Sequence, residues 1–202
     1  CDEAYEHLVF DGARHRPLMT LPGARERCLR IGSAGKTFSV TGWKIGYITA
    51  PHALLAPVAQ AHQFITFTVA PALQLAVAHG LRLPDSYFDG LRASLQSRRN
   101  LLASGLQAAG LNVLRCPATY FMCVDIGADD PAADDLVFGR AMAHEAGVVA
   151  TPAAKCAACS VFALPSGRRF SKRPSRVSVP GGVPRRCAVP PENSFPQSWK
   201  AR

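Results

Sequence analysis

The 202-residue sequence has no apolar run long enough to cross a membrane as a helix. Its most apolar stretch, Phe64 to Ala78, is interrupted by Thr66, Thr68, Pro71 and Gln74 and falls short of the roughly 20 residues a span requires. The opening segment, Cys1-Asp-Glu-Ala-Tyr-Glu-His7, is polar and carries no basic stretch followed by an apolar one, so no targeting signal is read. A disulfide framework is missing too: the seven cysteines are odd in number and scattered, a pattern that fits reduced thiols in a cytoplasmic protein. Cys156 and Cys159 have suggestive spacing, but a zinc ribbon needs a second pair, and Cys187 stands without a histidine nearby. His7, His15, His52, His62, His79 and His144 show no ligand spacing and read as ordinary surface or helix residues. No metal site is expected. What is present in quantity is apolar: 48% hydrophobic with 18% charged residues can bury a core and excludes disorder throughout.

Acidic residues are nearly absent after position 150, where ten basic residues face Glu192 alone, whereas positions 1–150 carry thirteen of each sign. The net charge of +9 therefore resides entirely in the last fifty-two residues, which also hold eight of the sixteen prolines and seven serines. Such a segment has too little to bury to offset the entropy of ordering, and residues 151–202 are expected to be a disordered basic tail. It lacks aromatic interleaving and any nucleic-acid motif, so no specific nucleic-acid partner is expected, and no membrane partner either.

Within residues 1–150, Arg27 to Ile31 alternates like a strand leading into a loop of Gly32, Ser33, Ala34 and Gly35. A second strand is predicted at Lys44 to Thr49, then helices over about 52–65, with Pro51 in the first turn, and from Pro71 to about Leu83. From Asp85 to Ala109, Phe88, Leu91, Leu95, Leu102 and Leu106 recur at helical spacing, ended by Gly110. Strands are predicted at Asn112 to Arg115 and Tyr120 to Ile126, and a helix from about Ala132 to Glu145, ended by Gly147. The class is α/β or α+β, with the long helix connecting two subdomains.

The chemistry is concentrated in Ser33-Ala-Gly-Lys-Thr-Phe-Ser-Val-Thr-Gly-Trp-Lys-Ile-Gly-Tyr47. One lysine, Lys36, stands among small residues where a ligand can approach the backbone. Partial desolvation there would lower its pKa, as a Schiff-base nucleophile needs. Ser33, Lys36, Gly42, Lys44 and Gly46 fill every position of the pattern S-x-x-K-x-x-x-x-x-G-x-[RK]-x-G. This segment resembles the pyridoxal-phosphate lysine motif of the class I/II aminotransferases, and its fuller string is similar to the kynurenine, methionine and succinyldiaminopimelate aminotransferase group.

Asp2-Glu-Ala-Tyr5 resembles the family's D-E-x-Y element, on the strand before the lysine strand, and Ala118-Thr-Tyr-Phe121 and Glu145 to Pro152 resemble later segments. The resemblance covers residues 1 to about 152. It implies a fold-type-I α/β architecture: residues 1–84 as the C-terminal part of the large cofactor domain and 85–150 as a small-domain portion. It implies pyridoxal 5'-phosphate as cofactor and transamination between an amino acid and a 2-oxo acid as activity. Lys36 would be the covalent anchor and general base, Asp2 the partner of the ring nitrogen, and Tyr5 a donor to the ring's phenolic oxygen. Ser33 and Lys44 would hold the phosphate.

Relatives are dimers with the active site at the subunit interface, which makes a homodimer the implied assembly, although half of that interface would come from a region not matched here. Members of the family are roughly twice this length, and the phosphate-binding helix end, the stacking aromatic and the substrate-carboxylate arginine find no counterpart in this sequence. The break in composition near Pro152 suggests a reading-frame change or a truncated product. The chain alone is accordingly expected to bind the cofactor weakly and to turn over negligibly. Two alternatives stay open: β-elimination from cysteine conjugates on the same Lys36, and a non-enzymatic remnant whose basic tail binds polyanions.

Overall fold

The computed structural model describes residues 1–127 and 134–152, and the backbone alone of 159–163, 177–178 and 184–185. The chain divides into two compact units, Cys1–Ser94 with Pro117–Thr119, and Leu95–Cys116 with Tyr120–Arg202.

The first unit is built around β1 (Arg30–Ser33), which pairs antiparallel with β2 (Gly46–Thr49) in the register Arg30↔Thr49 to Ser33↔Gly46. Residues Cys1 to Glu3 run parallel to β1 through an Asp2↔Ile31 bridge, with Ile31 N–H donating to Cys1 O and Glu3 N–H to Ile31 O, each at 2.9 Å. This matches the expectation that Asp2 precedes the lysine strand on a neighbouring one. The small-residue stretch after β1 is not an open loop. Ala34–Thr37 forms one helical turn, α1, closed by Phe38 N–H on Ala34 O at 2.9 Å, and Ala34 N–H donates to Ile45 O at 3.1 Å.

α2 (His52–Ile65) and α3 (Pro71–Gly80) follow, with Pro51 at the N-cap of α2 rather than within its first turn. Ala34, Ile45 and Val77 form a buried cluster to which Phe38, Val69 and Leu73 are packed. Gly80 makes room for this: a Cβ there would come within 2.9 Å of the Phe38 ring. Leu8 and Phe10 are fully buried where Val9 bridges Ala118, with Phe10 N–H on Pro117 O and Thr119 N–H on Leu8 O.

α4 (Asp85–Ala108) realises the amphipathic pattern read from Phe88 to Leu106, and Gly110 beyond its end takes a φ of 80°. In the second unit β3 (Asn112–Val113) pairs antiparallel with β4 (Phe121–Asp125), whose inward residues Met122 and Val124 are fully buried. Arg99 on α4 is buried and donates from Nη1 to Cys116 O at 2.8 Å. α5 (Asp135–Ala141), capped by the Asp134 carboxylate, continues as a wider turn to Ala146 and ends at Gly147 with φ 67°. The first residues predicted for this helix, near Ala132, lie outside the described ones.

Most of the tail expected at 151–202 also lies outside the described residues. Within it, β5 (Thr151–Pro152) and β6 (Cys159–Ala163) are described, and β6 pairs with both β4 and β5 in a sheet of order β3-β4-β6-β5. Two further strands, β7 (Val177–Ser178) and β8 (Pro184–Arg185), pair with each other.

Candidate active site

All five residues singled out from the sequence, Asp2, Tyr5, Ser33, Lys36 and Lys44, belong to the first unit. β1 delivers Ser33 to the N-cap of α1 and Lys36 to its last turn, where the side chain is half-buried. Lys36 Nζ stands 5.6 Å from the centroid of the Tyr5 ring, so the amine and the phenol share one space. Gly35 permits the tight turn: a Cβ there would sit 2.9 Å from Thr41 Cα, and Thr41 Oγ1 donates to Gly35 O at 3.1 Å. A backbone-to-backbone approach of that kind cannot be relieved by rotating a side chain.

Asp2 is exposed, and its Oδ1 accepts from Ala4 N–H at 3.0 Å, which fixes the carboxylate at the start of the turn leading to Tyr5. Lys44 is exposed and left-handed, φ 57°, at the end of a 3-10 turn over Thr41–Trp43. The Ser33↔Gly46 register and the Ala34 N–H to Ile45 O bond bring the Lys44 backbone to the Ser33 end of the hairpin. The structure therefore joins Lys36 to Tyr5 by direct contact, and the other three by backbone pairing around them.

The donor set fits pyridoxal phosphate. It contains a carboxylate for a protonated ring nitrogen, a phenol for a ring oxygen, a hydroxyl and an ammonium for a phosphate, and a half-buried amine for an aldehyde carbon.

Sequence reasoning missed a second cluster on the same strands and turn. Glu3 and Glu6 flank Tyr5 in the chain, and both are ion-paired to Arg30, Glu3 through Nε at 2.9 Å and Glu6 through Nη2. Glu3 also accepts from Leu18 N–H at 3.0 Å and lies 3.0 Å from His15 Nε2. Glu6 Oε1 accepts from the Tyr47 hydroxyl at 3.0 Å. One guanidinium thus links the Asp2–Tyr5 segment to β1, with Tyr47 of β2 and the 15–18 loop attached.

Burial alone would raise the Glu3 carboxyl, but its bonds to His15, Leu18 N–H and Arg30 outweigh this and hold it below the ordinary carboxylate range. Burial would lower Arg30, and the two carboxylates raise it instead. The Tyr47 phenol is pushed up to about 12 by burial and by the Glu6 charge. Ligand atoms of Glu3, Glu6 and His15 lie within 4.8 Å of one another, a spacing a cation could use, but Arg30 already supplies the positive charge to both carboxylates. A cavity of about 700 Å³ opens beside this network, walled by Glu6, His7, Tyr47, Phe88 and Arg92 among others.

Two of the histidines differ from their reading as ordinary surface or helix residues. His15 is bonded to Glu3, and His7 is half-buried and stacked on Phe88 at 4.5 Å with planes 23° apart. The sequence around them carries no periodic signal, because His7 lies in a turn and His15 in an irregular segment.

Comparison with known proteins adds a separate finding. The family described as aminotransferase class I and II matches residues 1–182, further along the chain than the motifs at Glu145 to Pro152. A probable N-succinyldiaminopimelate aminotransferase DapC of Mycobacterium tuberculosis is 43% identical over 154 residues, covering 75% of this chain and 38% of that protein. The methionine aminotransferase of Escherichia coli K12 is 37% identical over 151 residues, covering 75% and 39%. The solved structure of N-succinyldiaminopimelate aminotransferase from Mycobacterium tuberculosis superposes with a TM-score of 0.73 at 39% identity, over 81% of this chain and 44% of that one. The chain spans less than half the length of the relatives it matches.

Proposed function

Since the chain belongs to the aminotransferase class I and II family, whose members depend on pyridoxal phosphate, we propose that it forms the lysine-bearing part of an enzyme that passes an amino group between an amino acid and a 2-oxo acid. The fold is that of the fold-type-I aminotransferases. The observation that carries the reading is the Lys36 amine held over the Tyr5 ring on a turn that only a glycine at position 35 allows. When bound, the cofactor supplies an electron sink that acidifies the substrate's α-carbon.

The chain's residues take the remaining tasks. The Lys36 amine would hold the cofactor and would move the proton at the substrate's α-carbon. Asp2 would pair with the protonated ring nitrogen, and Tyr5 would donate to the ring's phenolic oxygen. Ser33 would offer its hydroxyl, and Lys44 its charge, to the phosphate.

On this reading residues 1–84 belong to the large domain, 85–150 to the small one, and the working form is a cytoplasmic homodimer. Exposed Phe64, Ile65 and Phe67, between 76% and 87% accessible at the α2–α3 junction, support burial against further polypeptide. Among the described residues no helix is long and apolar enough to cross a membrane.

The decisive experiment is a visible spectrum of the protein with pyridoxal phosphate, followed by borohydride reduction and peptide mapping. Label should collect on Lys36 and vanish in Lys36→Ala. Label spread evenly over Lys155, Lys172 and Lys200 would reject the reading.

A further inference from the structure

Cys1 and Cys28 are far apart in sequence, yet their sulfurs are 3.8 Å apart, Cys28 Sγ directed at Cys1 Sγ. The contact follows from strand pairing: Cys1 N–H donates to Leu29 O at 2.8 Å and Cys1 O accepts from Ile31 N–H at 2.9 Å, which lays residue 1 alongside the entry to β1. Cys28 has extended backbone, φ −119° and ψ 131°, and is buried at 3% exposure, whereas Cys1 is exposed. Both are free thiols.

We propose that Cys1 and Cys28 form a reversible dithiol–disulfide pair that latches the segment carrying Asp2 and Tyr5 onto the strand carrying Ser33. A disulfide needs about 2.05 Å between sulfurs, so closure takes roughly 2 Å of movement, within the reach of side-chain rotation on paired strands. The burial asymmetry sets the order of events. The Cys1 thiolate attacks a small-molecule disulfide, forming a mixed disulfide and releasing one thiolate. The Cys28 thiolate then attacks the Cys1 sulfur and expels the second. Two protein thiols lose two protons and two electrons, and the small disulfide is reduced to two thiols. Being buried, Cys28 is shielded from direct attack by bulky oxidants and is reached through Cys1.

The bond closes the whole excursion from Asp2 to Arg27, including Tyr5, Glu3 and His15, into a covalent loop whose ends lie on neighbouring strands. Such a closure restricts the unfolded chain. Its effect on cofactor retention rests on the proposed function above; formation of the bond does not.

The test incubates the full chain with graded ratios of reduced and oxidised glutathione, quenches by alkylation, and digests with trypsin. Cleavage after Arg14, Arg27 and Arg30 separates the Cys1-Arg14 peptide from the Cys28-Leu-Arg30 peptide, so the two run together only when bonded. The expected result is that this cross-linked pair is the dominant disulfide, is absent in Cys1→Ser and in Cys28→Ser, and is accompanied by a rise of several degrees in unfolding midpoint lost in both variants. A mixture in which Cys1 is joined to Cys28 no more often than to Cys116, Cys123, Cys156, Cys159 or Cys187, or only stable glutathione adducts on Cys1, would overturn the proposal. A dominant cross-link with unchanged pyridoxal-phosphate affinity would keep the latch and count against its link to the cofactor site.

Discussion

The Tyr47 ring occupies the space a Cβ would take at Gly32, its register partner on β1, and its hydroxyl donates to Glu6 Oε1 at 3.0 Å. The phenol hydroxyl would stand only 2.7 Å from a Cβ at position 32, and the ring would be closer still. Gly32→Ala is therefore an overpacking change, expected to cost about 1–3 kcal/mol and to lower the unfolding midpoint by several degrees. Pairing it with Tyr47→Ala should recover much of that loss, since the clash disappears. Additive losses in the double-mutant cycle would show that the ring does not occupy that space.

Arg30 is expected to be the least replaceable member of the Glu3–Arg30–Glu6–Tyr47 network. Arg30→Met removes the guanidinium shared by two carboxylates whose side chains are only 6% and 12% exposed. Leaving such groups uncompensated costs on the order of 3 kcal/mol. The sign with pH is fixed. In the native protein Glu3 is held below its ordinary value, so its contribution is complete above about pH 4.3 and is lost as pH falls through its folded-state value. Denaturant titrations from pH 7 to 3 should show this loss, and Glu3→Gln should flatten it. In Arg30→Met the two carboxylates repel, so mild acid should stabilise the variant relative to its value at pH 7.

How much of this was legible beforehand depends on sequence distance. The helices at 52–65 and 85–108 announce themselves by spacing and by Pro51 and Gly110, all local signals. The lysine and its motif partners were legible for the same reason, being confined to Ser33–Gly46 and Asp2–Tyr5. The one-turn helix around Lys36 was read as an open loop, because Ala-Gly-Lys-Thr has little helical preference and the turn is closed by the remote Ile45 carbonyl and by Thr41 beneath Gly35. The Glu3–Arg30–Glu6–Tyr47 network left no trace in the sequence. Its members are drawn from three separate stretches, around Glu3–Glu6, Arg30 and Tyr47, and strand register brings them together.

His7 should report on acid sensitivity in a higher pH window. Burial against Phe88 is the largest influence on its ring and lowers its pKa; Glu6 opposes this, and Arg30, His15 and Arg92 add to it. The unfolded chain then binds a proton more readily than the folded one as pH falls below about 6.5, so stability declines through that region and on toward the depressed folded-state value. His7→Phe keeps the stacking surface and removes the titration. The expected result is a stability profile between pH 7 and 5 that is flatter in the variant than in the native protein. Identical slopes would mean that the ring ionises freely in the folded state.

Gly35 gives the sharpest test of how the lysine is presented, because its role is separable from the lysine's own chemistry. A Cβ at this position meets Thr41 Cα at 2.9 Å, backbone against backbone, so the turn carrying Lys36 or the one carrying Thr41 must shift. The Thr41 Oγ1 to Gly35 O bond, at 3.1 Å, is the contact most exposed to that shift. Gly35→Ala leaves every proposed cofactor-contacting side chain in the sequence, yet should weaken pyridoxal-phosphate binding by roughly tenfold, corresponding to about 1.4 kcal/mol. Thr41→Ala loses the bond without the clash and should have the smaller effect. Equilibrium titration followed by absorbance, with far-ultraviolet circular dichroism to confirm the fold, distinguishes the cases. If Gly35→Ala folds and binds the cofactor as tightly as the native chain, the close approach of these two turns has no part in presenting Lys36.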